Sequence, residues 1–173
     1  MVGQEILLAD ANVFMTPFRF YYAFDLVPAY WDKLKPYLIS GRVVILDIVK
    51  DEIDKGKDDL AKWLSDIEGL VVVPKATEDT VKCYQEVMRY IAESGYYRPD
   101  AVATWAPSTI ADPWLIAVAK ANGYTIVTQE VASGGLSKKT PNKVAKIPDV
   151  ARHFGVKTIN IYDMMRKLEI SIK

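Results

Sequence analysis

The sequence is poor in cysteine and has no long apolar run. Cys83 is its single cysteine, so an intramolecular disulfide is excluded, and the absence of paired Cys or Cys/His spacings removes any zinc signature. No apolar stretch approaches the roughly 18 residues needed to cross a bilayer, and the N-terminus lacks the pattern of a secretion signal. The sequence therefore predicts a soluble protein of the reducing cytoplasm with no membrane partner.

The chain also lacks an excess of charge of either sign. Lysine plus arginine and aspartate plus glutamate both number 22, which excludes a global basic field for nucleic-acid binding. Any affinity for nucleic acid must come from local patches. Half of the 173 residues are apolar, enough for the core of one ordinary domain. We therefore expect a single domain over residues 1–173.

Short apolar runs rich in β-branched residues recur along the chain between segments of helical period. Continuous apolar runs indicate strands buried on both faces, and their alternation with helices indicates a parallel sheet. The predicted fold class is a three-layer α/β/α domain with a four- to five-stranded, mainly parallel sheet. The runs are Ile6–Ala9, Val43–Leu46, Leu70–Val73 and Thr125–Thr128, with Thr158–Ile161 as a fifth candidate.

Two of the predicted helices have clear end signals. Thr77 is a predicted N-cap, and apolar spacing carries its helix to about Ser94. Asp112 is a predicted N-cap ahead of Pro113 at the first helical position, and Asn122-Gly123 is a predicted C-cap.

Several acids fall where the chemistry of an open parallel sheet is found, just beyond the carboxyl ends of its strands. Asp10 directly follows the first strand, Glu130 lies two residues past the fourth, and Asp112 opens the helix before the fourth strand. Each also has a purely structural interpretation as a helix cap or turn residue.

Glu52 is predicted to point inward. On a helix from about Ile48 it lies four residues after Ile48 and three after Val49, on the face that should be buried. A buried carboxylate needs a partner, and converging carboxylates without nearby Arg or His favour a divalent cation. All-oxygen ligation favours Mg²⁺ or Mn²⁺.

These residues carry a family resemblance. The stretches LADANVF, IADPWLIAVAKANGYTIVTQE and KTPNKVAKIPDVARHFGV resemble a PIN-like subfamily of uncharacterised proteins within the PIN-domain nucleases. That superfamily includes the VapC-like toxin ribonucleases of toxin–antitoxin pairs. The resemblance covers residue 6 to about 165. It rests on six residues in the order of the family's elements, Asp10, Asn12, Glu52, Asp112, Thr128 and Glu130.

The resemblance implies a metal-dependent endoribonuclease that hydrolyses RNA phosphodiester bonds. It implies Asp10, Glu52, Asp112 and Glu130 as metal ligands for Mg²⁺ or Mn²⁺. Glu130 departs from the aspartate usual at the fourth position, so a contact through water is an alternative for it. Asn12 is expected to hold Asp10 or the phosphate by hydrogen bonding, and Thr128 to orient a water or a phosphate oxygen. An antitoxin partner and a homodimer are further options that the resemblance leaves open.

Two segments could contact a substrate. Residues 138–152 concentrate lysine and arginine after the fourth strand and are either a phosphate-binding flap or a solvated loop. Residues 18–31 contain seven aromatic residues, which favour core packing, with base stacking and a partner interface as alternatives.

Two other functions compete with the nuclease hypothesis. The first is a catalytically inactive PIN-like module that binds a protein. The second is phosphatase chemistry of the haloacid-dehalogenase type, which normally needs a second aspartate where this chain has Asn12.

Overall fold

The computed structural model describes residues 3–172, which form a parallel sheet and surrounding helices. The strands are β1 (Leu7–Ala9), β2 (Val43–Leu46), β3 (Val72–Val73), β4 (Thr125–Val127) and β5 (Thr158–Ile159). The helices are α1 (Asn12–Thr16), α2 (Pro28–Ile39), α3 (Asp47–Asp54), α4 (Asp59–Ser65), α5 (Glu78–Glu93), α6 (Pro99–Trp105), α7 (Ala111–Asn122), α8 (Ile147–His153) and α9 (Ile161–Lys167). A π-helical turn, Pro17–Tyr21, follows α1.

The sheet confirms the predicted fold class. Its strand order is β3-β2-β1-β4-β5. β1 pairs with β2 in parallel, with Leu8 opposite Val44, and β2 pairs with β3 in parallel. At the other side, the backbone N–H of Ile126 donates to Lys157 and that of Thr128 donates to Ile159, at 2.9 and 3.0 Å, a ladder in which both strands advance together.

Burial explains why the central strands have continuous apolar sequences. All residues of β1, β2 and β4 are buried, so both faces of each strand contact protein rather than solvent. The outer strands β3 and β5 have two residues each and are partly exposed. Short outer strands limit pairing with other chains. The fifth predicted run thus forms a strand, although α9 already begins at Ile161.

The helix ends agree with local sequence signals, with one correction. Thr77 caps α5 with its side chain, and α7 ends at Asn122, before the C-cap Gly123, whose φ of 71° needs the freedom of glycine. The prediction of Asp112 as an N-cap is wrong, because α7 begins at Ala111 and its N-cap residue is Ile110. Proline fits anywhere in a first turn, where backbone N–H groups have no helical acceptor. Pro113 therefore did not fix the first helical position.

The chain divides into two compact units. Within the described residues, the first comprises 3–74, 127–129 and 159–172, and the second comprises 75–126 and 130–158. In the second unit, α5 packs against α7, and the rings of Tyr84 and Trp114 stack with centroids 4.0 Å apart.

The aromatic segment 18–31 belongs to the first unit and divides between core and surface. Tyr30 and Trp31 are fully buried, and Trp31 packs on Phe24 and Trp63 with ring centroids 4.6 and 5.0 Å away. Phe20 is exposed. Core packing therefore explains the aromatic residues Phe24, Tyr30 and Trp31 of the segment. Across residues 3–172, no helix combines the length and apolarity needed to cross a bilayer.

Candidate functional site

Asp10 is the centre of a buried polar cluster in the first unit. It follows β1 directly, and its backbone N–H donates to the carbonyl of Val127 on β4 at 3.0 Å. The side chain is almost fully buried, at 6% exposure. Its Oδ1 accepts a hydrogen bond from the Ala11 N–H at 2.7 Å. Burial of a carboxylate at this position is tolerated because hydrogen-bond donors surround it.

Asn12 joins the Asp10 turn to the end of β4. Its Nδ2 donates to Asp10 Oδ2 at 2.8 Å, while its Oδ1 accepts from the backbone N–H of Gln129 at 2.9 Å. The N–H of Gln129 can only donate, so the amide oxygen of Asn12 must face it and the NH₂ must face the carboxylate. The predicted hydrogen bond from Asn12 to Asp10 is present. An aspartate here would set one carboxylate against another.

Thr128 completes the cluster. Its hydroxyl donates to Asp10 Oδ2 at 2.9 Å, and the residue is 2% exposed. β1 and β4 are neighbouring strands, so their carboxyl ends meet at one edge of the sheet. This topology brings together Asp10, Asn12 and Thr128, although over a hundred residues of chain separate the first two from the third.

Glu52 lies on α3 but is exposed, so the prediction of an inward-facing carboxylate is wrong. Ile48, Val49 and Ile53 of the same helix are buried. Helical spacing gives the direction of a side chain around the helix axis. Helical spacing does not show whether another element packs over that side chain. Glu52 lies one turn after Ile48 and is exposed. The inference that Glu52 needs a cation as a buried charge therefore fails, and its role as a ligand rests on the family resemblance.

Asp112 and Glu130 lie in the second unit. Asp112 is half-buried in the first turn of α7, where a negative charge is favourable because of the helix dipole. Glu130 accepts a hydrogen bond at Oε2 from the backbone N–H of Ile147, the first residue of α8, at 2.8 Å. Its Oε1 lies 3.5 Å from Lys146 Nζ. Glu130 thus caps α8, a role that the sequence did not indicate because the donating N–H lies 17 residues away.

The oxygen donors of the four acids are of the type that Mg²⁺ or Mn²⁺ takes. In this conformation, no three His, Cys, Asp or Glu side chains among residues 3–172 form a group that could hold a metal ion. The chemistry of the side chains fits a divalent cation, whereas a ready group of three ligands is not formed within the described chain. Metal binding therefore stays a prediction.

A known family covers almost the whole described chain. The model of a family described as a domain of unknown function, DUF4411, matches residues 7–172. The chain belongs to the DUF4411 family. The match includes both the Asp10-x-Asn12 turn and Thr128, so the polar cluster lies inside the family domain. No curated protein matches the sequence.

The structure of this DUF4411 chain is similar to one in the crystal structure of VapBC2 from Rickettsia felis bound to a DNA fragment from their promoter. The TM-score is 0.55 at 14% sequence identity, and the alignment covers 90% of this chain and 98% of that chain. At this identity the similarity shows the fold alone. The DUF4411 chain has a PIN-like α/β fold.

Proposed function

We propose that this chain is a PIN-type endoribonuclease that hydrolyses RNA phosphodiester bonds with Mg²⁺ or Mn²⁺. The interlocked Asp10, Asn12 and Thr128 side chains are the observation that carries the proposal. They lie at the carboxyl ends of adjacent parallel strands, where open α/β sheets place their chemistry, and the fold is PIN-like.

The hydrogen bonds of the cluster suit a fixed acidic group. Asn12 and Thr128 donate to the same oxygen of Asp10, Oδ2, and so hold the carboxylate plane in one orientation. Precise placement of a carboxylate is what a metal ligand or a phosphate-facing group requires. A bound divalent cation would polarise the scissile phosphate and lower the pKa of a coordinated water. The proposal assigns metal binding to Asp10, Glu52, Asp112 and Glu130.

The phosphatase alternative loses support from the same geometry. Haloacid-dehalogenase chemistry would require a second aspartate at position 12. Here the side chain donates to Asp10 and accepts from the Gln129 N–H, which only an amide does in this arrangement.

A catalytically inactive protein-binding module is the second candidate function. Two observations favour it: Glu130 is already engaged as a cap of α8, and residues 3–172 present no ready group of three metal-ligating side chains. Exposed Phe20 and Leu26 in the first unit would offer apolar contact area to a protein partner.

Glu52→Gln is the sharpest test of the nuclease proposal. Glu52 is exposed on α3, so the substitution removes a charge without disturbing packing. Asp51→Asn is its matched control, because Asp51 is the adjacent exposed acid on the same helix. We expect labelled RNAs to be cleaved in Mn²⁺ by the wild type and by the control, and cleavage by Glu52→Gln to fall at least about a hundredfold, as for removal of an essential catalytic group.

The metal requirement is tested in the same assay. Cleavage that continues in EDTA, or that survives both Glu52→Gln and Asp10→Asn, would refute the proposal. Calorimetry that detects no Mn²⁺ binding, together with no cleavage of a varied RNA panel, would favour the inactive module instead.

The proposal includes a toxin role with an antitoxin as the protein partner, which the family resemblance implies; the fold shared with a chain of the VapBC2 complex is compatible with that role. Expression of the wild type in bacteria should arrest growth, whereas expression of Glu52→Gln should not. A homodimer is a further expectation, which sedimentation at micromolar concentration tests.

A further inference from the structure

Two open cavities adjoin each other in the second unit, and none of the site residues assigned above lines them. Their volumes are about 390 and 300 Å³, within or near the range of small-molecule sites. Tyr90 and His153 line both cavities. We call this region, with Arg89 and Phe154 of the larger cavity and Arg152 of the smaller, the Tyr90–His153 surface.

The centre of this surface is a stack of aromatic rings. Tyr90 of α5 and His153 of α8 lie parallel, with ring centroids 3.7 Å apart and an angle of 12° between their planes. Phe154 packs edge-on against both rings. His153 is exposed, so the stack reaches the solvent. An exposed aromatic stack of this kind binds unpaired bases through their ring faces.

The two cavities differ in charge. In the larger one, Arg89 is accompanied by Glu86 and Glu93, and Glu86 is paired with Lys120. In the smaller one, Arg152 is exposed, whereas the only acid of its lining, Asp149, is buried and accepts a hydrogen bond from the Ser133 N–H. The smaller cavity therefore presents more accessible positive charge, which suits a phosphate.

The loop of residues 138–146, which precedes α8, contributes a further cation beside the smaller cavity. Asn142 holds the loop to the chain at Tyr96, whose carbonyl accepts its backbone N–H at 2.8 Å. Lys138 lies over the ring of Tyr96, 5.4 Å from its centroid. Tyr96 lines the smaller cavity, so Lys138 adds positive charge at its edge.

We infer that the Tyr90–His153 surface binds a segment of single-stranded RNA, with a base on the aromatic stack and a phosphate at Arg152 and Lys138. The inference rests on the proposed ribonuclease function, since it names a substrate contact outside the Asp10 cluster. The aromatic larger cavity, which has charges of both signs, suits the flat ring of a base. The basic smaller cavity suits the anionic phosphate attached to it. A chain of such units fits two cavities that are both open to solvent.

The test is binding of a fluorescein-labelled unstructured RNA twelve-mer, measured by anisotropy in EDTA so that cleavage plays no part. Lys138→Ala/Arg152→Ala removes the two exposed cations placed at the proposed phosphate. Lys35→Ala/Lys62→Ala is the matched control, because it removes two exposed cations from the first unit. His153→Ala removes the exposed ring of the stack.

We expect Lys138→Ala/Arg152→Ala to bind about tenfold more weakly than the wild type, and the control to bind within twofold. Because each phosphate contact on a single strand contributes roughly 0.7 to the slope of log K against log salt, loss of the one proposed contact should lower the slope by roughly 0.7 in this variant alone. His153→Ala should weaken binding about tenfold, since it removes the exposed ring on which the base stacks.

Equal affinities and slopes for Lys138→Ala/Arg152→Ala and the control, with thermal unfolding unchanged, would overturn the inference. Binding of a duplex RNA as tight as that of the single strand would also overturn it, because paired bases cannot stack on the ring. These results are distinct from a failure of the proposed function, which would leave RNA uncleaved in Mn²⁺ however tightly it binds.

Discussion

The hydrogen bond between Thr128 and Asp10 makes the sharpest prediction about stability. Thr128→Val keeps the shape of the side chain but replaces the hydroxyl that donates to Asp10 Oδ2 at 2.9 Å. Both residues are buried, so water cannot replace the lost donor.

The magnitude follows from two opposing effects. A hydrogen bond to a charged group contributes about 1.5–3 kcal/mol, and the methyl group that replaces the hydroxyl gains about 0.8 kcal/mol from burial. Thr128→Val should therefore lower the free energy of unfolding by about 1–2 kcal/mol. With a urea m-value of about 2 kcal/mol/M for a chain of this size, the unfolding midpoint should fall by about 0.5–1 M.

A double-mutant cycle with Asp10→Asn separates this bond from other effects of the substitution. In the Asp10→Asn background the threonine hydroxyl faces a neutral amide, and neutral hydrogen bonds contribute about 1 kcal/mol less than charged ones. Thr128→Val should therefore cost about 1 kcal/mol less there than in the wild type. Equal costs in both backgrounds, within the roughly 0.5 kcal/mol typical of independent sites, would refute the assigned geometry.

Three further predictions concern stability away from the polar cluster. Tyr30→Phe should leave the free energy of unfolding unchanged or raise it by up to about 1 kcal/mol, since the buried Tyr30 hydroxyl has no hydrogen-bond partner among residues 3–172; urea unfolding checks this. Burial raises the pKa of Tyr30 and of Tyr97 above the ordinary value near 10. The stability that these two protonated side chains contribute is therefore full below pH 10 and is lost as the pH rises further. Unfolding curves at pH 9 and 11 should show this loss. Gly123→Ala should cost about 1 kcal/mol from backbone strain at φ 71° alone, because no other atom of the described chain would crowd the added Cβ within 4 Å, whereas Gly3→Ala should be neutral; urea unfolding of both variants measures the difference.

The features that the sequence predicted well depend on neighbours along the chain. Thr77 and the residues after it contain their own capping pattern. Glycine is favoured where the backbone turns left-handed after a helix, as Gly123 does after α7. The apolar runs of β1, β2 and β4 predicted buried strands, because strands with helices on both faces have little polar surface. The start of α7 was misplaced, because a proline is accepted at several positions of a first turn.

The candidate site was predicted only in part. The hydrogen bond from Asn12 to Asp10 spans two residues, so a D-x-N turn alone could suggest it. The hydrogen bond from Thr128 to Asp10 was not predicted, because it depends on β4 lying beside β1, and strand order is set by packing between distant elements. The exposure of Glu52 and the use of Glu130 as a cap for α8 did not follow.

By itself, the sequence determined the α/β class, the buried strands and the identity of the polar residues at strand ends, because each of these is encoded in local pattern and residue type. The tertiary structure decided that β4 lies beside β1, and so that Thr128 and the Gln129 N–H meet Asp10 and Asn12. The tertiary structure also decided which acidic side chains are buried, as at Asp10, and which are exposed, as at Glu52. The physical reason is that strand order and burial are set by packing between elements distant in sequence, whereas periodicity fixes only the direction in which each side chain points.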